Sequence, residues 1–169
     1  AELFDRIVKN GPFSDVAPHA QLRVGAAREK QGNLPDAVKA YEAAADRYHD
    51  RPVIAADALY HAGLAYKRQS STAEYDQGLS IQSLASFNDF VTLFPEDKRV
   101  PEAKKLMVQL KAEQARGYFK IAEFYEKRKK WNGALVYYNE VVLAVPESPA
   151  AVEARKRIDA LKKYTQPGK

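Results

Sequence analysis

Residues 121–146 read IAEFYEKRKKWNGALVYYNEVVLAVP, and their spacing decides the fold. Ala122 and Tyr125 lie on one apolar helical face, and a basic break follows at 127–130. Ala134, Tyr138 and Val141 then recur at steps of four and three, and Pro146 stops the run five residues later. Such steps place side chains on one face of a helix, and a proline cannot continue one. The stretch reads as two helices folded back on each other, with the small Ala122 set against the aromatic Tyr138.

The same grammar recurs upstream. Ala37, Tyr41 and Ala44 end at His49; Ser83, Phe87 and Phe90 end at Pro95; Phe4, Ile7 and Pro12 match the close of a further copy. The preceding partner helices carry Gly25, and Gly63 with Tyr66, small residues that permit close approach. Twelve residues separate Gly25 from Ala37 and Ala122 from Ala134, the helix–turn–helix spacing of tetratricopeptide repeats. Gly63 to Ser83 is twenty, which places an eight-residue insertion in that repeat. It is expected within 69–80, QSSTAEYDQGLS, where the serines, Asp76 and Gly78 suit a loop, and this should be the most mobile internal segment. An offset of 51 gives an independent check: Glu102-Ala103-Lys104-Lys105 aligns with Glu153-Ala154-Arg155-Lys156, and Leu110 with Leu161.

The expected fold class is all-α, a tetratricopeptide-repeat-like superhelix of antiparallel helix pairs. Eight helices are expected near 1–10, 16–31, 34–49, 53–69, 79–94, 100–130, 132–145 and 149–163. Pro18, Pro35, Pro101 and Pro149 each fall where a first-turn proline starts a helix without losing a needed hydrogen bond. No proline interrupts 102–130, so one helix of about 45 Å at 1.5 Å per residue should serve two repeats. The 169 residues suit a single domain. Its parts are a partial repeat at 1–15, a repeat at 16–52, an inserted repeat at 53–99, the long helix and final repeat at 100–148, a terminal helix at 149–163 and a flexible tail at 164–169.

Composition narrows the function. With no cysteine there is no disulfide, zinc–thiolate site or cysteine nucleophile. His19, His49 and His61 lack metal-ligand spacing, so no metal and no cofactor is expected. No phosphate-cradling loop, dinucleotide fingerprint or nucleophile elbow is present, and no enzyme is expected. No apolar run approaches the roughly 18 residues that span a bilayer, and nothing at Ala1 resembles a signal peptide. The net charge of +5 is uneven: residues 1–97 hold 10 Lys/Arg against 14 Asp/Glu, and residues 98–169 hold 17 against 8. The basic half raises nucleic-acid binding as a class, but it has no groove-reading motif and no repeated exposed aromatics.

What remains is a surface that holds proteins. Stacked helix pairs leave an extended concave face lined by the first helix of each repeat. Repeat geometry puts His19, Leu22, Ala26 and Glu29 on its first wall, Asp57, Tyr60, Leu64 and Lys67 on the second, and Arg116, Phe119, Glu123 and Glu126 on the third. Any one of these equally suits packing between helices or plain solvated surface. The run Lys127-Arg128-Lys129-Lys130-Trp131 has two readings, stabilisation of a helix C-terminus by its dipole and a docking site for a partner. Trp131 likewise suits packing between helices or an exposed anchor.

Gly11-Pro12-Phe13-Ser14 before Ala20-Gln21-Leu22, Asp76-Gln77 before Phe87, and Ala122-Glu123-Phe124-Tyr125 before Arg128, Trp131 and Ala134 occur in an order that resembles the BamD family of outer-membrane assembly lipoproteins. The resemblance covers nearly the whole chain, including the insertion and the long helix. It departs at both ends, where that family carries a complete first repeat after a lipidated cysteine and a further helix pair at its close. The resemblance implies a non-enzymatic scaffold at the periplasmic face of the outer membrane, held there by a lipid anchor upstream of this chain. It implies that a client groove at His19, Leu22, Glu29, Asp57, Tyr60 and Lys67 receives unfolded outer-membrane proteins. It implies docking through Arg116, Lys120, Lys127, Arg128 and Trp131 on a BamA-like POTRA domain and companion lipoproteins. The alternative is another tetratricopeptide adaptor of the cell envelope, serving division, pilus assembly or secretion.

Overall fold

In a computed structural model the described residues are 2–72 and 77–165. Among them the chain forms eight helices and no strand: α1 (Glu2–Asn10), α2 (Ala17–Lys30), α3 (Leu34–Arg47), α4 (Pro52–Thr72), α5 (Gln77–Leu93), α6 (Val100–Lys127), α7 (Trp131–Ala144) and α8 (Pro149–Thr165). This is the all-α, tetratricopeptide-like arrangement of helix pairs that the spacing predicts. Pro18, Pro35, Pro101 and Pro149 all fall in the first turn of a helix.

The chain divides into two compact units, Ala1–Met107 and Val108–Lys169, and α6 contributes residues to each. In the first unit, Gly25 of α2 lies against the ring of Tyr41 of α3, and Gly63 of α4 against the ring of Phe87 of α5. A methyl group at Gly25 would stand 2.5 Å from Tyr41 Cε1, and one at Gly63 2.8 Å from Phe87 Cε1. Both glycines are therefore demanded by helix contact and not by backbone conformation. The second unit uses Ala122 of α6 and Tyr138 of α7 in the same roles, within a core that includes Ala115, Val141, Ala154 and Leu161. The nine residues that define the repeated spacing, Ala37, Tyr41, Ala44, Ser83, Phe87, Phe90, Ala134, Tyr138 and Val141, are all at most 1 % exposed. Ala103 and Ala154, paired by the offset of 51, are both fully buried.

Where the structure departs from the expected boundaries, the cause is local. α4 continues to Thr72 and α5 begins at Gln77, so most of the stretch expected as a loop is helical. The serines that suggested a loop do other work: the hydroxyls of Ser70 and Ser71 donate to the Lys67 carbonyl at 2.8 and 2.9 Å. Side chains of this kind bond back onto the preceding turn without ending it. Asp76, and with it the expected centre of mobility, lies outside the described residues. α6 stops at Lys127 and not at 130, because a left-handed residue, Lys129 (φ 56°), turns the chain into α7. α8 runs two residues past its expected end to Thr165, and residues 166–169 of the expected tail lie outside the described residues.

Candidate protein-binding surfaces

The first helices of the repeats in the first unit are α2 and α4, and the six expected groove residues there differ in what they have left to offer. His19 is exposed, and Leu22 is half-buried against the core residues between α2, α3 and α4. Glu29 is drawn inward, accepting from the Tyr41 hydroxyl at 2.7 Å and from Arg68 at 3.1 Å. Asp57 accepts from Arg99 at 2.7 Å. Tyr60 is 6 % exposed, its ring lying 4.9 Å below the same Arg99 guanidinium and edge-on to Phe87. Lys67 is half-buried, and its ammonium makes no ion pair among the described residues. The free chemistry of this surface is therefore the His19 imidazole, the Leu22 edge and the Lys67 ammonium, while Glu29, Asp57 and Tyr60 are engaged within the fold.

Arg99 organises that end of the unit. It donates to Asp97 through two nitrogens at 2.9 and 2.7 Å and to Asp57 through a third. Its hydrogen bonds hold the Asp97 carboxyl down at about 2. Burial, then the neighbouring Glu102 carboxylate, pushes the Tyr60 hydroxyl up to about 12.

In the second unit Glu126 repeats the Glu29 arrangement, accepting from the Tyr138 hydroxyl at 2.6 Å and from Arg157 at 3.3 Å. Burial first, and the acceptor carboxylate second, push the hydroxyls of Tyr41 and Tyr138 far above their ordinary range, so both remain donors. The intervening repeat lacks this device. Phe87 has no hydroxyl to satisfy, and the position four after its partner glycine is Lys67 instead of glutamate. Carboxylate and hydroxyl are thus present or absent together across three copies, and at this position Lys67 has no paired carboxylate among the described residues.

The expected docking residues belong to the second unit. Arg116, Lys120, Lys127 and Arg128 are exposed, and the Arg128 guanidinium sits 3.6 Å over the Phe124 ring. Trp131 is half-buried and stacks on Tyr164 of α8, with centroids 4.6 Å apart and planes at 19°. Phe119 packs edge-on against Tyr138. Arg68, Arg99 and Arg157 were not among the expected residues, although they settle which groove positions stay free. A signal for two of them lay in the pairing of a glutamate with a tyrosine twelve residues later.

Among the described residues no group of three or more His, Asp or Glu could hold a metal ion, and no helix is long and apolar enough to cross a membrane. Compared with known proteins, the chain is 26 % identical over 181 aligned positions to the outer membrane protein assembly factor BamD of Rickettsia prowazekii (strain Madrid E), covering 98 % of this chain and 69 % of that protein. The family described as YfiO, outer membrane lipoprotein, matches residues 1–166. With that match and the helix-pair architecture together, the chain belongs to the YfiO family of outer membrane lipoproteins.

Proposed function

We propose that the chain is a non-enzymatic scaffold, a BamD-like subunit of the β-barrel outer-membrane assembly machinery acting at the periplasmic face of that membrane. The observation that carries this reading is the family match over residues 1–166 on a fold made of helix pairs. On this reading, α2 and α4 receive extended segments of unfolded barrel precursors, with His19, Leu22 and Lys67 as the contacting side chains. Glu29, Asp57 and Tyr60 hold those helices in place. Arg116, Lys120, Lys127 and Arg128 meet partner subunits such as a POTRA domain. The second unit's 13 Lys/Arg against 7 Asp/Glu favour an acidic partner there.

The test is binding of immobilised chain to synthetic C-terminal segments of barrel proteins and to scrambled versions of them. Selective retention is expected. The double variant His19→Ala/Lys67→Ala should weaken it about tenfold, the loss of ~1.4 kcal/mol. Equal retention of scrambled peptides, or indifference to the double variant, rejects the assignment of α2 and α4 as the client surface.

A further inference from the structure

Two turns of this chain, 97 positions apart, have the same backbone and opposite chemistry. Between α2 and α3, Gly32 donates to the Glu29 carbonyl at 2.9 Å and Asn33 to the Arg28 carbonyl at 3.0 Å. Between α6 and α7, Lys129 donates to the Glu126 carbonyl at 2.9 Å and Lys130 to the Tyr125 carbonyl at 3.0 Å. In the first turn a glycine fills the left-handed position (φ 75°) and Asn33 caps α3 by accepting from the Asp36 amide. In the second a lysine is held at φ 56°, and Lys130 gives α7 no side-chain cap. Left-handed backbone disfavours a side chain, and an asparagine cap outperforms a lysine. Local stability alone would select glycine and asparagine at these two positions, as the first turn does. Two cations stand there instead, placed at the C-terminal end of α6 where its dipole also favours positive charge.

The surroundings indicate what these cations meet. Lys127, Lys129 and Lys130 are exposed and make no ion pair among the described residues, and although Glu123 and Glu126 line the hollow on the Lys127 and Lys129 side, four consecutive cations, counting Arg128, concentrate positive charge here. The Trp131–Tyr164 stack brings the end of α8 alongside, with Lys163 set 4.9 Å over the Tyr164 ring and Tyr164 52 % exposed. An open cleft of about 430 Å³ runs between Lys129, Lys130, Trp131, Asn132, Tyr164 and Thr165, and among the described residues no carboxylate lines it. Half-exposed tryptophan and tyrosine flanked by cations are the composition of a water–lipid interface. All the cations of this turn but one are lysines, mobile point charges that demand no single fixed geometry of the anion they meet. A member of an outer membrane lipoprotein family also works beside a membrane surface.

We propose that the α6–α7 turn, with Lys129 and Lys130 beside the Trp131–Tyr164 stack, rests on an anionic phospholipid surface. The phosphates sit against the two ammonium groups, and the aromatic pair lies at headgroup depth. The attraction is electrostatic and weakens as salt shortens its range.

The test transplants the first turn into the second. Lys129→Gly/Lys130→Asn should raise the melting temperature by a few degrees, because it relieves the left-handed lysine and supplies the missing cap. The same variant should lower partitioning of the 169-residue chain onto phosphatidylglycerol-containing vesicles about 25-fold, roughly fivefold per cation. Lys104→Ala/Lys105→Ala removes equal charge elsewhere and should change partitioning far less. Phosphatidylcholine vesicles should retain little of any protein. The assignment is overturned if the unaltered chain does not distinguish the two vesicle types, or if the transplant and the control variant lose binding equally. It is also overturned if the transplant leaves vesicle binding intact while abolishing retention on an acidic protein surface, which would assign the turn to a protein partner.

Discussion

Replacing Gly25 by alanine tests the helix contact on which each repeat is built. The new methyl would stand 2.5, 2.7 and 2.8 Å from Cε1, Cδ1 and Cζ of Tyr41, about 1 Å inside the preferred separation of two carbons. The ring cannot retreat: Tyr41 is 1 % exposed, its hydroxyl is bonded to Glu29, and its face stacks on His61 at 5.4 Å. Overpacking of this kind costs up to about 3 kcal/mol, and alanine returns ~1 kcal/mol through helix propensity. The net loss should be about 2 kcal/mol, a fall in melting temperature of roughly 4–8 °C for a chain of this size. Urea denaturation followed by circular dichroism measures it. In a Tyr41→Leu background the overlap is relieved and only the propensity gain remains, so Gly25→Ala should there stabilise. That reversal of sign in a double-mutant cycle isolates the contact. If Gly25→Ala is as stable as the parent while Tyr41 is present, the reasoning is refuted.

Other expectations concern the polar groups that brace the same helices. Tyr41→Phe and Tyr138→Phe should each cost ~1.5–3 kcal/mol in urea unfolding, since each removes a hydrogen bond to a carboxylate; no loss from either would mean those bonds do not stabilise the repeats. Asp97 is held at about 2, below the ordinary ~3.9 of an aspartate, so its contribution is complete above about pH 4 and is lost as pH falls through about 2. The urea midpoint should accordingly drop across that window. Asp97→Asn should start lower at pH 7 and lose much of that acid dependence, whereas an unchanged pH profile in the variant would show that the Arg99 pairing carries none of it.

The repeated architecture was legible because close helix packing imposes strict spacing. Only a small residue opposite an aromatic satisfies it, and the same pair therefore recurs at Gly25 with Tyr41, Gly63 with Phe87, and Ala122 with Tyr138. The inserted segment was less legible because serine serves a loop and a helix end equally well, and at Ser70 and Ser71 it serves the helix. For the candidate groove, period placed residues on α2 and α4 but could not say which were already spoken for. Glu29 and Asp57 are held by Arg68 and Arg99, which come from 39 and 42 residues further along the chain, and no local spacing encodes that reach. At the α6–α7 turn the sequence shows a basic run that suits both helix stabilisation and docking, and says nothing of backbone conformation. Its left-handed lysine becomes apparent once its backbone is set beside that of the first turn.

The central claim is that the first helices of the repeats present the client surface. Titrating isotope-labelled chain with an unfolded barrel segment and following backbone amide shifts tests it most directly. Saturable shifts should gather on α2 and α4 around His19, Leu22 and Lys67. Shifts confined to α3 and α5, or none at peptide concentrations that saturate the immobilised chain, would contradict it.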